Sequence, residues 1–383
     1  MAGKTGDYDI GIGEKSPEPQ RTAEGVGFNK FNGATFDGPA VFAAMDAAFD
    51  RALQAFPEEI AQAHFVFGGH HVSMRIVGRD MASHIVRAFA HLKGEKDKTS
   101  APALRIDLWD ENKTGIRCYT GSKTISEGWQ DVTSISPDGL YIGQLQPSTL
   151  SCFNRQTSRI LSAVAWSDRI FIYERAKPLS RLLLEWSNDR NIQVVHAGLV
   201  AKDGYGILFV AKSGSGKSTA SLACLCAGMD YVGEDFIGLE QIQDGSFVGH
   251  SLYNSVFLES GHIKRFPELS RHIVKGAAHE EKSVIILSQV FPERLVRTAA
   301  IEAIVLPQVT HQAEPTVQKV PRSQALLGMA PSSLIEIPSR GMQGFSKLAA
   351  LVERVPAYAL HLGRNIDSIP IRINEIIAEV KRS

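Results

Sequence analysis

Apolar residues recur along this chain at two periods, and the switches between them outline its elements. Between residues 39 and 56, Phe42, Met45, Phe49 and Leu53 fall three and four apart, which places one apolar stripe on a helix. Met81, Ile85, Phe89 and Leu92 repeat the pattern over 80–92. Leu179, Leu182, Leu183 and Trp186 do so after Pro178, a residue suited to a first helical turn. Three more helices are predicted at 323–330, 345–355 and 369–380. The first is cut short by Pro331, which has no N–H to continue the ladder. Residues 64–77 predict two strands around Gly68-Gly69, and 357–362 alternates as a strand does. Residues 103–109 alternate in the manner of an edge strand. Short β-like runs and turns fill 110–150, and 159–173 suggests further strands. The clearest pair is 193–200 and 205–210, two apolar runs about a Lys202-Asp203-Gly204 turn, which predicts a β-hairpin.

That hairpin empties into Ala211-Lys212-Ser213-Gly214-Ser215-Gly216-Lys217-Ser218-Thr219, and helical spacing follows over 220–227 up to Gly228, a left-handed cap position. Strand, small-residue loop, Gly-Lys-Ser and helix together form the phosphate-binding pattern. Gly214 and Gly216 let backbone N–H groups turn inward where a side chain would block a phosphate. The helix adds the partial positive charge of its N-terminus. In that pattern Lys217 reaches the β- and γ-phosphates and the Ser218 hydroxyl ligates Mg²⁺, with Ser213, Ser215 and Thr219 completing the cradle. Ala211 stands where the first glycine of the pattern is usual.

Past the helix, 231–239 places Glu234 and Asp235 between β-formers, which suggests a strand end presenting carboxylates at the mouth of a site. One acid can hold Mg²⁺ and the other can accept a proton from an attacking hydroxyl. Residues 250–287 concentrate Lys264, Arg265, Arg271, His272, Lys275 and Lys282, a set able to cover phosphates or grip an acidic peptide, or simply to be solvated. His70 and His71 are adjacent on a strand and point to opposite faces, so they are not paired metal ligands.

Composition narrows the class further. The 383 residues carry 41 basic and 41 acidic side chains, a balance without a nucleic-acid footprint or a basic membrane face. No apolar run approaches the roughly 20 residues of a membrane helix. The N-terminus lacks the apolar stretch of a secretory signal, and the four cysteines are too scattered for a disulfide framework, so a cytoplasmic protein is expected. Cys224 and Cys226, two apart on a helix, do not form a metal pair. Residues 1–36 are polar and Gly-rich and are expected to be a mobile tail; Gly11-Ile-Gly13 within it lacks the strand and third glycine of a dinucleotide loop.

Residues 196–235 resemble the nucleotide-binding region of the HPr kinase/phosphorylase family. His196, Gly204-Tyr205-Gly206, the loop 211–218, Gly228 and Gly233-Glu234-Asp235 fall in register with that family's pattern. A looser similarity runs from about residue 170 to the C-terminus, through Val355-Pro356-Ala357-Tyr358 and Leu362-Gly363-Arg364, and resembles the divergent branch that phosphorylates the C-terminal serine of lasso-peptide precursors. The downstream Glu-x-Arg-Gly-x-Gly signature of the HPr enzymes is absent, and Glu234 occupies the catalytic aspartate's position. The resemblance implies an α/β, HPr-kinase-like P-loop domain with a mixed sheet over 189–383, preceded by a smaller α+β domain over 37–188 that helps recognise the acceptor. It implies ATP and Mg²⁺, and Lys217, Glu234, Asp235 and His196 as catalytic residues. Ser218 and Asp235 are the expected metal side, with the choice of base between Glu234 and Asp235 open. The implied partner is a serine acceptor on a peptide or protein; self-association into a homo-oligomer is compatible with it. A kinase for a small hydroxylated metabolite and an ATP-binding regulator without transfer are the competing readings.

Overall fold

The computed structural model describes residues 36–97, 99–118, 132–274, 282–336 and 341–382. The expected tail lies outside them apart from Phe36, which is buried against the first sheet. Lys275 also lies outside.

The chain is α/β and its two large sheets are both mixed. In the first, seven strands run in the order Ile60–Phe67, His70–Val77, Leu104–Asp110, Arg159–Val164, Thr149–Asn154, Tyr141–Leu145 and Val132–Ile135. The predicted turn at Gly68-Gly69 joins the first two. Leu104–Asp110 is not an edge: it sits parallel between two neighbours. Its alternation reflects Asp107, a buried carboxylate that accepts from Arg75 Nε at 2.7 Å and Nη2 at 2.9 Å and from Arg159 Nε at 2.7 Å. Paired from both flanking strands, the charge is tolerated inside a sheet.

Helix Gly38–Ala55 covers one face of this sheet, burying Val41, Phe42, Met45 and Phe49; Asp37 caps it by accepting from the Ala40 N–H at 3.1 Å. On the other face, the helix expected over 80–92 is α only across Arg79–Ile85 and tightens to 3₁₀ across Val86–Leu92. There the Asn254 side-chain amide takes the Arg87 and Ala88 carbonyls at 2.9 and 3.1 Å, drawing them out of the α ladder. After Arg159–Val164 the chain turns helical at Ile172–Ala176 instead of forming more strands. Leu179 adopts a left-handed conformation (φ 57°), so the next helix begins at Ser180, two residues past Pro178.

The second sheet has nine strands. Tyr205–Val210, Thr298–Val309 and Ala357–Leu362 form its parallel centre, and Ala197–Lys202 pairs antiparallel with Tyr205–Val210 as the hairpin predicts. Helices Lys217–Cys226 and Ile369–Val380 pack on one face, through Leu222, Leu225, Ile373 and Ile377. Arg322–Pro331 and Met342–Arg354 pack on the other. Truncating one of these buried leucines to alanine costs about 2–5 kcal/mol. Pro331 ends the α pattern without ending the coil: the Ser332 N–H turns back to the Met329 carbonyl, and residues Ser332–Glu336 continue as a π turn. A three-stranded sheet of Ser255–Glu259, Lys282–Ile286 and Ile273–Val274 flanks the centre.

The two large sheets share a core. Phe67, Met74, Ile106 and Trp186 from the first half pack with Ile192, Val194, Leu252 and Tyr253 from the second. Among the described residues, no helix is long and apolar enough to cross a membrane.

Candidate functional site

The three parallel strands end on the same side of the sheet, and a cavity of about 620 Å³ opens there, at the carboxyl ends where open α/β sheets bind ligands. The phosphate loop forms its floor. Strand Tyr205–Val210 is buried on both faces through Ile207, Leu208, Phe209 and Val210, so its end at Ala211 is fixed. Gly214 (φ 78°) and Gly216 (φ 99°) take the left-handed turns of the loop, whereas Ala211 is not left-handed and needs no glycine. At Gly216 a Cβ would come within 2.2 Å of Leu362 Cδ1. Ser213, Gly214, Gly216, Lys217, Ser218 and Thr219 line the cavity; Ser215 does not, and its buried Oγ has no hydrogen-bond partner among the described residues. Lys217 is buried, its ammonium donating to the carbonyls of Ala211 at 2.7 Å and Lys212 at 3.3 Å.

Strand Asp230–Gly233 delivers the acidic pair, and a left-handed Asp235 (φ 63°) splays its two side chains apart. Ser218 Oγ donates to Glu234 Oε1 at 2.8 Å, while Glu234 Oε2 is buried with no partner among the described residues. Asp235 instead pairs with the Lys177 ammonium and with His196, whose Nε2 lies 3.4 Å from Oδ1. The two neighbours therefore titrate in opposite directions. Burial, then the adjacent Asp235 charge, pushes the Glu234 carboxyl up to about 8 against the pull of Lys177. Burial would also raise Asp235, but Lys177 and His196 together hold it well below the usual carboxylate range.

His196 stands where the run expected over 193–200 changes partners. Gln193–Val195 pairs with Ile237–Gln241, and Ala197–Lys202 pairs with the loop strand; the His196 N–H at the break donates to Ser333 Oγ at 3.2 Å. That hydroxyl is supplied by the π turn after Pro331.

Two cavity features escaped the sequence. Lys177, 7% exposed, projects into the cavity between the rings of Phe236 and Phe257, 4.9 and 4.7 Å from their centroids. Tyr173 stacks on Phe257 at 4.7 Å. Gln146, Tyr173, Lys177 and Ser180, all from the first half, line this end, whereas Val309, Leu362, Gly363 and Ile366 line the other. From the basic stretch Arg265 reaches the wall beside His262; Lys264 and Arg271 are solvated and His272 is half-buried. The sign of a composite site was only the Arg175-Ala176-Lys177 run, indistinguishable from a surface charge.

Mg²⁺ fits the phosphate side. The Ser218 hydroxyl and the unpartnered, buried Glu234 oxygen are oxygen donors beside the loop, and Mg²⁺ needs few protein ligands when phosphates and waters supply the rest. The structure puts Glu234, not Asp235, against Ser218. Cys118, Cys152 and Cys224 are buried, with burial pushing the Cys118 thiol up to about 12, and none lines the cavity.

No protein-family model matches the chain, and no curated protein matches it. Among solved structures, the chain is similar to the Hpr(Ser) kinase/phosphatase from Coxiella burnetii, at 15% identity over 50% of this chain and 93% of that one, with a TM-score of 0.28.

Proposed function

We propose that the protein is an ATP- and Mg²⁺-dependent kinase that moves the γ-phosphoryl group of ATP to a serine hydroxyl of a peptide or protein. One observation carries this reading: a phosphate loop, a Ser218–Glu234 contact and an Asp235–His196 contact all face one cavity. Lys217 and the loop N–H groups hold the β- and γ-phosphates, with the helix N-terminus behind them. Bound Mg²⁺, held by Ser218 and Glu234, would neutralise phosphate charge. Asp235, kept ionised and oriented by Lys177 and His196, faces the acceptor hydroxyl and receives its proton. Catalysis is then mostly positioning and charge stabilisation, as phosphoryl transfer requires.

Residues 37–188 serve acceptor recognition in this reading, supported by the cavity wall they supply at Gln146, Tyr173, Lys177 and Ser180. The finer proposal, from the sequence resemblance, is that the acceptor is the C-terminal serine of a lasso-type precursor. The full chain incubated with Mg-ATP and serine peptides, a lasso-type precursor and HPr side by side, should add one phosphate to the intact mass of an acceptor. No transfer to any serine acceptor, with nucleotide bound, contradicts the reading.

A further inference from the structure

Lys177 is placed with more care than a surface lysine needs. The carbonyl before it, on Ala176, accepts from Ser255 Oγ at 2.6 Å, and the carbonyl after it, on Pro178, accepts from Tyr253 Oη at 2.8 Å. Its own N–H donates to the Tyr173 carbonyl at 2.9 Å, and Ser255 and Tyr253 are both buried. The backbone is thus clamped on both sides by the second half of the chain, and the left-handed Leu179 turns it away at once. The side chain runs to the cavity and sets its ammonium between the faces of Phe236 and Phe257. At its tip it meets Asp235. A buried cation with an oriented carboxylate, facing a phosphate loop, has the chemistry to meet a second anion.

We propose that Lys177 is a further catalytic residue of this site: its ammonium contacts the phosphoryl group in transfer from the acceptor side, opposite Lys217, while it keeps Asp235 on the acceptor hydroxyl. The assignment rests on the kinase reading above. In the step, the acceptor oxygen bonds to the γ-phosphorus and the bond from that phosphorus to the β,γ-bridging oxygen breaks. Its electron pair leaves with ADP, and the hydroxyl proton passes to the Asp235 carboxylate. Charge on the three equatorial oxygens is met from the loop side by Lys217 and from the acceptor side by Lys177. The site is then complete only when both halves of the chain are present.

The test titrates MgADP, and MgADP with aluminium fluoride, into the full-length wild type, Lys177→Met and Lys177→Arg. The planar fluoroaluminate stands in for the phosphoryl group in flight. Lys177→Met should bind MgADP within about threefold of wild type, yet bind the fluoroaluminate complex about tenfold or more weakly and lose about 10²-fold in kcat at unchanged KM for ATP. Lys177→Arg, which keeps the charge, should regain most of the fluoroaluminate affinity. Ser255→Ala, which loosens the clamp and leaves the ammonium in place, should show a smaller loss with the same signature. Equal fluoroaluminate binding by Lys177→Met and wild type overturns the assignment alone, as does a matching loss of MgADP affinity, which marks a purely structural residue. A wild type that binds MgADP and forms no fluoroaluminate complex overturns the kinase reading and this assignment with it.

Discussion

At the nucleotide end of the cavity, consecutive residues 211–219 supply nearly everything: the turn, the backbone donors, the cation and the hydroxyl. At the end proposed to take the acceptor, Lys177, His196, Asp235 and Phe257 come from four separate stretches and meet only through tertiary packing. The first arrangement is a local device that any strand and helix can carry. The second exists because the two sheets share a core and because Tyr253 and Ser255 clamp the backbone on either side of Lys177. In the proposed function, binding a nucleotide is thus encoded in one short segment, while choosing and activating an acceptor is distributed over the fold.

The sharpest way to separate the two ends is to alter the adjacent acids independently. Asp235→Asn should lower kcat by about 10²–10³-fold while MgADP affinity, measured by fluorescent ADP, stays within about threefold. Glu234→Gln should do the reverse, raising the Mg²⁺ concentration for half-maximal turnover by about tenfold or more. Equal phenotypes from both variants would break the division between the ends.

Within the nucleotide end, Gly216→Ala tests the loop against the strand beside it. Both a left-handed φ and a contact with Leu362 oppose the new methyl, so an affinity loss for MgADP of about tenfold and a stability loss of about 2 kcal/mol are expected. Gly214→Ala meets open space and only the backbone strain, about 1 kcal/mol. Calorimetric melts of the two variants check the order.

The smallest effect concerns the seam that holds the ends together. His91 accepts from the Asn254 amide at Nδ1 (3.1 Å) and donates from Nε2 to Ser251 Oγ (2.6 Å), joining the 3₁₀ stretch to the second half. Burial pushes its imidazole down to about 3. A histidine depressed in the fold contributes stability that is present above its unfolded value near 6.5 and is lost as pH falls below it. Between about pH 7.5 and about pH 5.5 this amounts to about 1 kcal/mol, the extra loss that denaturant melts should show in the wild type over His91→Gln, where the other histidines that burial depresses still titrate.

The same contrast decides which parts of the fold are legible in the sequence. The hairpin, the loop, its helix and the C-terminal helices are local patterns, and each formed within a few residues of its expected place. Glu234 and Asp235 stand out in the sequence because they follow the loop at a short distance. Lys177 does not, because nothing in Arg175-Ala176-Lys177-Pro178 records that Tyr253 and Ser255 will hold it. The switch of strand partners at His196 was hidden for the same reason: an apolar run looks alike whether it serves one neighbour or two. Leu104–Asp110 resembled an edge because the arginines that neutralise Asp107 lie on other strands.

In the proposed function this cavity transfers phosphate. Transfer from γ-labelled ATP to a serine peptide, compared between wild type and Lys217→Ala, tests it most directly. Label on the peptide with the wild type, reduced about 10³-fold or more in the variant, is the predicted result. Equal labelling by both proteins, or none by a wild type that binds nucleotide, would contradict it.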